Sequence, residues 1–445
     1  MRKIINIAAI LSVSIFTACD KELDLTPRQD VAEEVALSTD QNVKRVLNGA
    51  YDALSSASFL GGDVQLYSEL LAADAEILWL GTFNQPREVF GKNMLTNNSF
   101  IRATWRDGFN TINIANNVLS AIPVVNDADE NRVRGEALFI RGVSYFELVK
   151  LYALPYSAGS TTTNPGLPIV LTPTRAITDS SYVARKSVEE TYAQIISDLT
   201  TAEPLVPNNN GVYATKRAVA GYLSRVYLQM GRYAEARDAA NRAIGYGGRS
   251  LVGYYLDAFN NEGLSSEDVF AIEVNDQDGA NDMHLFYSIP EFGGRDGDVA
   301  IQNKHLNFYD ATDIRFDQFY PGNGDTRTAK WMVLYSNIPI IRLAELYLTR
   351  AEANFRLGTS IGDTPLNDVN LIRARVGLLP LAVLTLDAIT FERKLELAHE
   401  GQAIHDVKRL MKTVDGLPFN SPRLVLPIPV SDVNANPNLE QNAGY

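Results

Sequence analysis

Apolar positions fall on one helical face most clearly over 215–246. Val219, Tyr222, Leu223, Val226, Tyr227 and Met230 recur at i, i+3, i+4, i+7, i+8 and i+11, the spacing of one side of a 3.6-residue helix. Gly231 follows, a residue tolerant of the left-handed turn that closes helices. Ala236, Ala239, Ala240, Ala243 and Ile244 then repeat the spacing, and their small side chains let a second helix approach the first closely. The same periodicity predicts further helices. Ile112, Ala115, Leu119 and Ile122 mark one over 110–122, and 136–152 is apolar nearly all round, the pattern of a buried helix. Ser187 and Glu190 form a capping box ahead of Val188, Tyr192, Ile195, Ile196 and Leu199. A stripe from Ile340 through Leu343, Ala344, Tyr347, Leu348, Ala351 and Phe355 predicts a long helix, with 366–375 as a shorter partner. Phe391, Leu395 and Ala398 open the last substantial helix.

Three stretches carry no helical period: 76–98, 154–179 and 247–337. They are rich in Gly, Asn, Asp, Pro and Thr, with short β-like runs at GLPIVL and at Val269 to Val274. Insertions this long in a compact protein are usually functional or flexible. No linker separates 41–246 from 247–445, so the two regions are expected to form one compact unit.

Composition narrows the function classes. The chain has 445 residues, 46% of them hydrophobic, enough to bury a large core. With 40 Lys and Arg against 53 Asp and Glu the net charge is −13, which argues against a broad nucleic-acid footprint. The single cysteine, Cys19, excludes an internal disulfide and any zinc site built on several thiolates.

That cysteine also has a positive meaning. Arg2 and Lys3, an apolar run from Ile4 to Phe16, and Thr17-Ala18 read as a secretory signal over 1–18, too short for a membrane span. Cys19 follows at once, so the segment resembles a bacterial lipoprotein box, with Phe16 where that box usually has Leu. The resemblance implies that Cys19 carries lipid and becomes the mature N-terminus. Loss of Arg2 and Lys3 takes the charge from −13 to −15. Residues 19–40, opening with Asp20, Lys21, Glu22 and Asp24, read as a lipidated polar tether.

Motifs of catalysis find little support. Gly358 to Gly362 spells GxSxG, but a nucleophile elbow joins a strand to a helix, and here the motif joins two predicted helices. His399 and His405 stand six apart, about 240° around a helix, where a zinc pair needs four. Asn275, Asp276, Asp278 and Asp282 lack the alternation and terminal Glu of a calcium loop and read as a solvated turn. No catalytic residue, metal or cofactor is expected.

Segments along the whole chain carry family resemblances. LSRVYLQMGRYAEARDAANRAI resembles a tetratricopeptide helix pair through Leu223, Tyr227, Gly231, Tyr233, Ala236 and Ala243, with Ser224 in place of the usual Gly. TWRDGFNTINIANNVL, GEALFIRGVSYFELVKLYALPY, IPIIRLAELYLTRAEANFRLG and FERKLELAHEGQAIHDVKRLMK resemble the SusD/RagB-like outer-membrane nutrient-binding lipoproteins of Bacteroidetes. Glu392, Arg393, Glu396, Leu397, Glu400, Gly401, Asp406, Lys408 and Arg409 match that family's signature helix, Ala403 replaces an Arg often found there, and NPNLEQNAGY is close to its typical ending.

The resemblance implies a mostly α fold. Tetratricopeptide-like helix pairs would form a right-handed helical scaffold with long irregular loop insertions and a few short strands. It also implies a non-catalytic protein at the outer membrane that captures oligosaccharide and delivers it to a TonB-dependent outer-membrane transporter. Peptide cargo and an envelope scaffold without a small ligand are the alternatives. Sugar recognition uses aromatic faces and planar polar side chains. Trp105 reads as core, whereas Trp79, Phe83, Asn84 and Arg87 in one insertion are candidate ligand contacts. Tyr287, Phe292, Arg295, Asn323 and Trp331 are the candidates in the other.

Overall fold

The computed structural model describes residues 36–277 and 279–445. The predicted signal, Cys19, the tether up to 35 and Asp278 lie outside the described residues. The first half runs α1 (Asp40–Leu54), α2 (Asp63–Leu71), β1 (Ile77–Trp79), α3 (Asn84–Phe90), α4 (Ser99–Ser120), α5 (Asp127–Tyr152), β2 (Pro165–Pro168), β3 (Arg185–Ser187), α6 (Val188–Leu205), α7 (Lys216–Gln229) and α8 (Tyr233–Gly245). The second adds β4 (Asp268–Ile272), α9 (Asp282–Tyr287), β5 (Val299–Ile301), α10 (Asn303–Leu306), β6 (Phe319–Gly322), β7 (Asp325–Thr328), β8 (Ile338–Arg342), α11 (Leu343–Leu357), α12 (Pro365–Arg375), α13 (Leu386–Glu396), α14 (Ala403–Arg409) and α15 (Val430–Ala435).

Four helix pairs, α1/α4, α5/α6, α7/α8 and α11/α12, stack in succession, because α4 also packs on α5, α6 on α7 and α8 on α11. Local chemistry sets their ends. Thr39, Thr215, Thr364 and Thr385 each accept a hydrogen bond from the first turn of the helix they precede, and Ser187 with Glu190 forms the complete capping box. Helix α4 begins at Ser99, well ahead of the predicted 110, because the Asn98 side chain accepts from Phe100 N and Ile101 N, both at 3.1 Å. A Cβ on Gly108 would sit 2.8 Å from Leu148 Cδ2, so glycine lets α4 lie close against α5. Arg141 of α5 binds Asp198 of α6 through two bonds of 2.8 and 2.7 Å and Asn116 of α4 at 2.9 Å, tying three helices together.

Two predicted helices need correction. Ile338–Arg342 is strand β8, paired antiparallel with β4, and the helix starts only at Leu343. The run IPIIR is β-branched and buried on every residue, as a two-sided strand is. The signature segment is two helices, not one: α13 ends at Glu396, His399 takes φ 63° and Gly401 φ 80°, and α14 begins at Ala403. His399 and His405 therefore do not share a helix. Phe391 is 42% exposed, so it does not belong to the buried face of α13.

What that segment buries instead is charge. Arg342 meets Glu267, Glu396 and Glu400 at 2.6, 3.0 and 2.8 Å, and Arg375 joins Glu267 at 2.8 Å. Arg315 pairs with Asp313 and Glu392, both at 2.7 Å. Arg393 reaches Glu345 of α11 at 3.1 Å, which in turn holds Arg225 of α7 at 2.6 Å. The signature residues thus bolt the C-terminal helices to the helix stack. Burial opposes the charge on Glu396, but Arg375, Arg342 and Arg315 outweigh it and hold the carboxyl down at about 2.

Candidate functional site

The insertions at 76–98 and 247–337 are stitched together by one antiparallel sheet of order β1-β5-β7-β6. Ile77 pairs with Ile301 and Trp79 with Val299, Ile301 with Thr326, and Phe319 with Thr328. Beyond β1, Leu80 N donates to Asp298 O at 2.7 Å, which brings the loop before α3 against the loop before β5.

Phe83 and Arg295 meet there. The guanidinium stands 3.9 Å from the ring centroid of Phe83. Arg295 Nε donates to Asp298 Oδ2 at 2.8 Å and Nη2 to Thr82 Oγ1 at 2.6 Å. Asp298 is buried, which pushes its carboxyl up, while Arg295 pulls it back. Phe83 is 37% exposed and Leu80 47%, and the inner side of the Phe83 ring rests near Phe100 and Phe286. Asn84 and Arg87 are exposed on α3, and Arg87 Nη2 donates to Gly81 O, holding the loop shape. Asn323 is exposed at φ 52° and donates to Asp296 O at 3.0 Å. Half-buried Phe292 lies edge-on to Tyr320, with ring centroids 5.9 Å apart. The structure thus gathers Phe83, Asn84, Arg87, Phe292, Arg295 and Asn323 around the loops and hairpin of a single sheet. Leu80, Thr82 and Tyr320 belong with them and were not singled out in the sequence.

The three bulkiest candidates lie inside. Trp79 is 6% exposed, packs edge-on to Phe286 at 5.5 Å and donates its indole N–H to Phe83 O at 3.3 Å. In β1 the exposed residue is Leu78, because side chains alternate across a strand and Trp79 falls on the inner face. Tyr287 is fully buried, and Trp331 is 2% exposed with its indole N–H on His399 O at 3.1 Å. None of these rings offers a face to solvent, so they frame the patch or the core and are not its platforms. Trp105 is core, 4% exposed.

The remaining motifs are structural. Gly358 and Gly362 take φ 64° and 84° in the turn joining α11 to α12, which Asn354 fastens through Ile361 O at 3.0 Å. Asp282 is the first residue of α9 and hydrogen-bonds to Asp63, so its carboxyl is committed away from Asn275 and Asp276. Among the described residues no cluster of three or more His, Cys, Asp or Glu is arranged to hold a metal ion. No helix among them is long and apolar enough to cross a membrane.

Residues 22–228 match a family model described as starch-binding, associating with outer membrane, and residues 318–418 match that of the SusD family. The chain belongs to the SusD/RagB-like family. SusD-like protein P2 of Formosa agariphila is 28% identical over 232 residues, 50% of this chain and 43% of that protein. The starch-binding protein SusD of Bacteroides thetaiotaomicron is 32% identical over 206 residues, 43% of this chain and 35% of that one. The chain aligns with less than half the length of either relative. A crystal structure of a SusD superfamily protein from Bacteroides thetaiotaomicron superposes with a TM-score of 0.81 at 26% identity, over 91% of this chain and 99% of that one. Of the patch residues, Phe83, Asn84 and Arg87 fall in the first matched segment and Asn323 in the second, while Phe292 and Arg295 fall in the stretch that neither model covers.

Proposed function

We propose that this SusD/RagB-like protein is a non-catalytic, lipid-anchored protein of the outer membrane. It captures oligosaccharide at the Phe83–Arg295 patch and delivers it to a TonB-dependent outer-membrane transporter. The observation that carries the reading is the patch itself. The exposed Phe83 ring lies against the Arg295 guanidinium, exposed Asn84 follows Phe83 in the chain and exposed Asn323 sits at the turn between β6 and β7 of the same sheet, in a chain of a family described as starch-binding. With Arg295 stacked on its ring, Phe83 would meet the C–H side of a sugar with its exposed edge, and guanidinium and amide groups bond the hydroxyls. Arg295 Nη1 takes no part in the bonds to Asp298 and Thr82. Anchoring would come from Cys19, and delivery from a broad face able to seal the transporter's barrel.

A second reading keeps the delivery role with peptide as cargo. It draws on the burial of Trp79, Trp105 and Trp331, which leaves no indole platform open to a sugar. A glycan array and a peptide library, each probed with the full chain carrying Cys19→Ala, separate the two. Saturable glycan binding abolished by Phe83→Ala supports the first reading, and peptide binding alone replaces it with the second. Membrane fractionation of Cys19→Ala tests the anchor, since retention in the outer membrane would refute it. Co-purification of a TonB-dependent transporter tests the partner.

A further inference from the structure

We propose that a cavity between the C-terminal end of α2 and helices α13 and α14 is a second ligand site, binding one neutral sugar ring or a polyol of that size. The cavity measures about 220 Å³. At ~30 Å³ per water it has room for about seven waters. That is below the roughly 300–1,000 Å³ of drug-sized pockets, so it suits one pyranose ring and not an oligosaccharide.

The decisive side chain is His399. It lines the cavity, is 2% exposed, and has no hydrogen-bond partner on either ring nitrogen. The nearest carboxylate oxygen, Glu69 Oε2, is 4.0 Å from Nδ1, too far to bond. None of the surrounding rings bonds it: Tyr287 packs against it with ring centroids 5.9 Å apart, but the Tyr287 hydroxyl makes no hydrogen bond to it. His305 has committed one nitrogen to Glu76 at 2.9 Å and the other to Tyr309 at 3.1 Å, and Phe319 has nothing to offer. A buried polar atom left unpaired costs about 1–3 kcal/mol, and this ring carries two. It does so in a left-handed backbone conformation at φ 63° that side chains rarely adopt.

The chemistry of the base selects the ligand. Burial keeps the imidazole neutral, so it offers one donor and one acceptor. Glu69 beside it takes a bond from Gly401 N at 2.8 Å, and burial pushes its carboxyl up to about 7. Donor and acceptor side by side, without a full charge, match hydroxyl groups. Arg393 and Lys394 also line the cavity, but Asp406 and Glu76 already neutralise them. Ala73, Ile77, Val407 and Leu410 supply apolar walls for C–H faces. The lining acids Asp74 and Glu76 are paired, Asp74 with Lys304 at 2.7 Å and Glu76 with Lys394.

Ligand-observed NMR and calorimetry on the full chain carrying Cys19→Ala test this site with glucose, galactose, mannose, N-acetylglucosamine and myo-inositol. Three variants read it: His399→Asn, which tolerates the left-handed backbone, Ala72→Phe, which narrows the cavity, and Phe83→Ala as a control. The proposal expects at least one probe to saturate. Its affinity should fall about tenfold or more in the first two variants at unchanged Tm, and hold in the third. No saturation by any probe, or binding lost only with Phe83→Ala, overturns it. So does a crystal grown with the bound probe that shows only water between His399 and Glu69. Because the control variant addresses the exposed patch, failure of this site and failure of the capture role give different results.

Discussion

The carboxyl groups of Asp63 and Asp282 hydrogen-bond to each other across the first residues of α2 and α9. Gly62 makes the approach possible, since a Cβ there would lie 2.6 Å from Asp282 Cβ. Two carboxylates can share such a bond only if one keeps a proton. Burial raises both groups, Asp282 from 3.8 to about 6 and Asp63 further, and Tyr67 steadies Asp63 with a bond of 2.8 Å. The folded state therefore holds more protons than the unfolded one, and this contribution to stability is lost as pH rises from 3.8 through about 6. Asp282→Asn replaces the shared proton with an amide donor. Thermal unfolding should show a higher Tm than wild type at about pH 8, no gain near pH 4, and a ceiling of roughly 3 kcal/mol. Parallel pH profiles for the two proteins would count against the shared proton.

Glu396 makes the opposite prediction. Arg342 and Arg375 lie at 3.0 and 2.5 Å from its Oε1, and Arg315 at 3.6 Å from Oε2. Held at about 2 against an ordinary value of 4.5, it stabilises the fold above pH 4.5 and loses that contribution as pH falls toward 2. Glu396→Gln leaves buried guanidinium groups short of a partner and should cost about 3–5 kcal/mol. Urea unfolding at neutral pH reads this directly. A cost under about 1 kcal/mol would mean that Glu267 and Glu400 carry the arginines alone.

These same residues explain where sequence reading stops. The helix pair around Val219, Tyr222 and Ala236 was legible because apolar residues there are the buried ones. In α13 that equation fails: Glu392, Arg393 and Glu396 are buried while Phe391 is exposed, because the arginines that neutralise them come from distant elements. The apolar run of β8 fits both the helical and the strand period, though Pro339 within a β-branched stretch is a signal against helix. The patch was half legible. Residue types pointed to two insertions that the structure joins in one sheet, but which of Leu78 and Trp79 faces outward depends on pairing with 299–301.

Lys408 on α14 is buried without an acidic partner; its Nζ donates to Lys150 O at 3.3 Å. Burial, and then the charge of Lys150, lower it from 10.5 to about 7. The unfolded chain binds the extra proton, so stability rises with pH from about 7 to 10.5. Lys408→Met should stabilise the protein at about pH 6–7, by roughly 5 kcal/mol at the very most, and the gain should vanish above about pH 10.5. Denaturant midpoints at both ends of that window decide it, and a gain that persists at the alkaline end would assign the effect to packing alone.

Trp79 tests whether a buried residue can govern an exposed site. Its indole N–H holds Phe83 O at 3.3 Å, and Phe83 carries the ring on which Arg295 lies. Trp79→Phe keeps an aromatic ring against Phe286 but removes that hydrogen bond, a loss of about 0.5–1.5 kcal/mol in stability. The larger effect is expected at the patch. Without the tether the loop 80–83 is fixed by Leu80 N on Asp298 O, Arg87 on Gly81 O and Arg295 on Thr82, so amide exchange over 81–84 should quicken. Oligosaccharide affinity should then fall several-fold, through loss of preorganisation and without loss of a contact. Arg295→Lys should weaken binding to a similar degree by the other route, since an ammonium cannot stack flat on Phe83 while bonding both Thr82 and Asp298. If exchange over 81–84 is unchanged in Trp79→Phe and binding still falls, Trp79 acts on the ligand by some means other than holding Phe83.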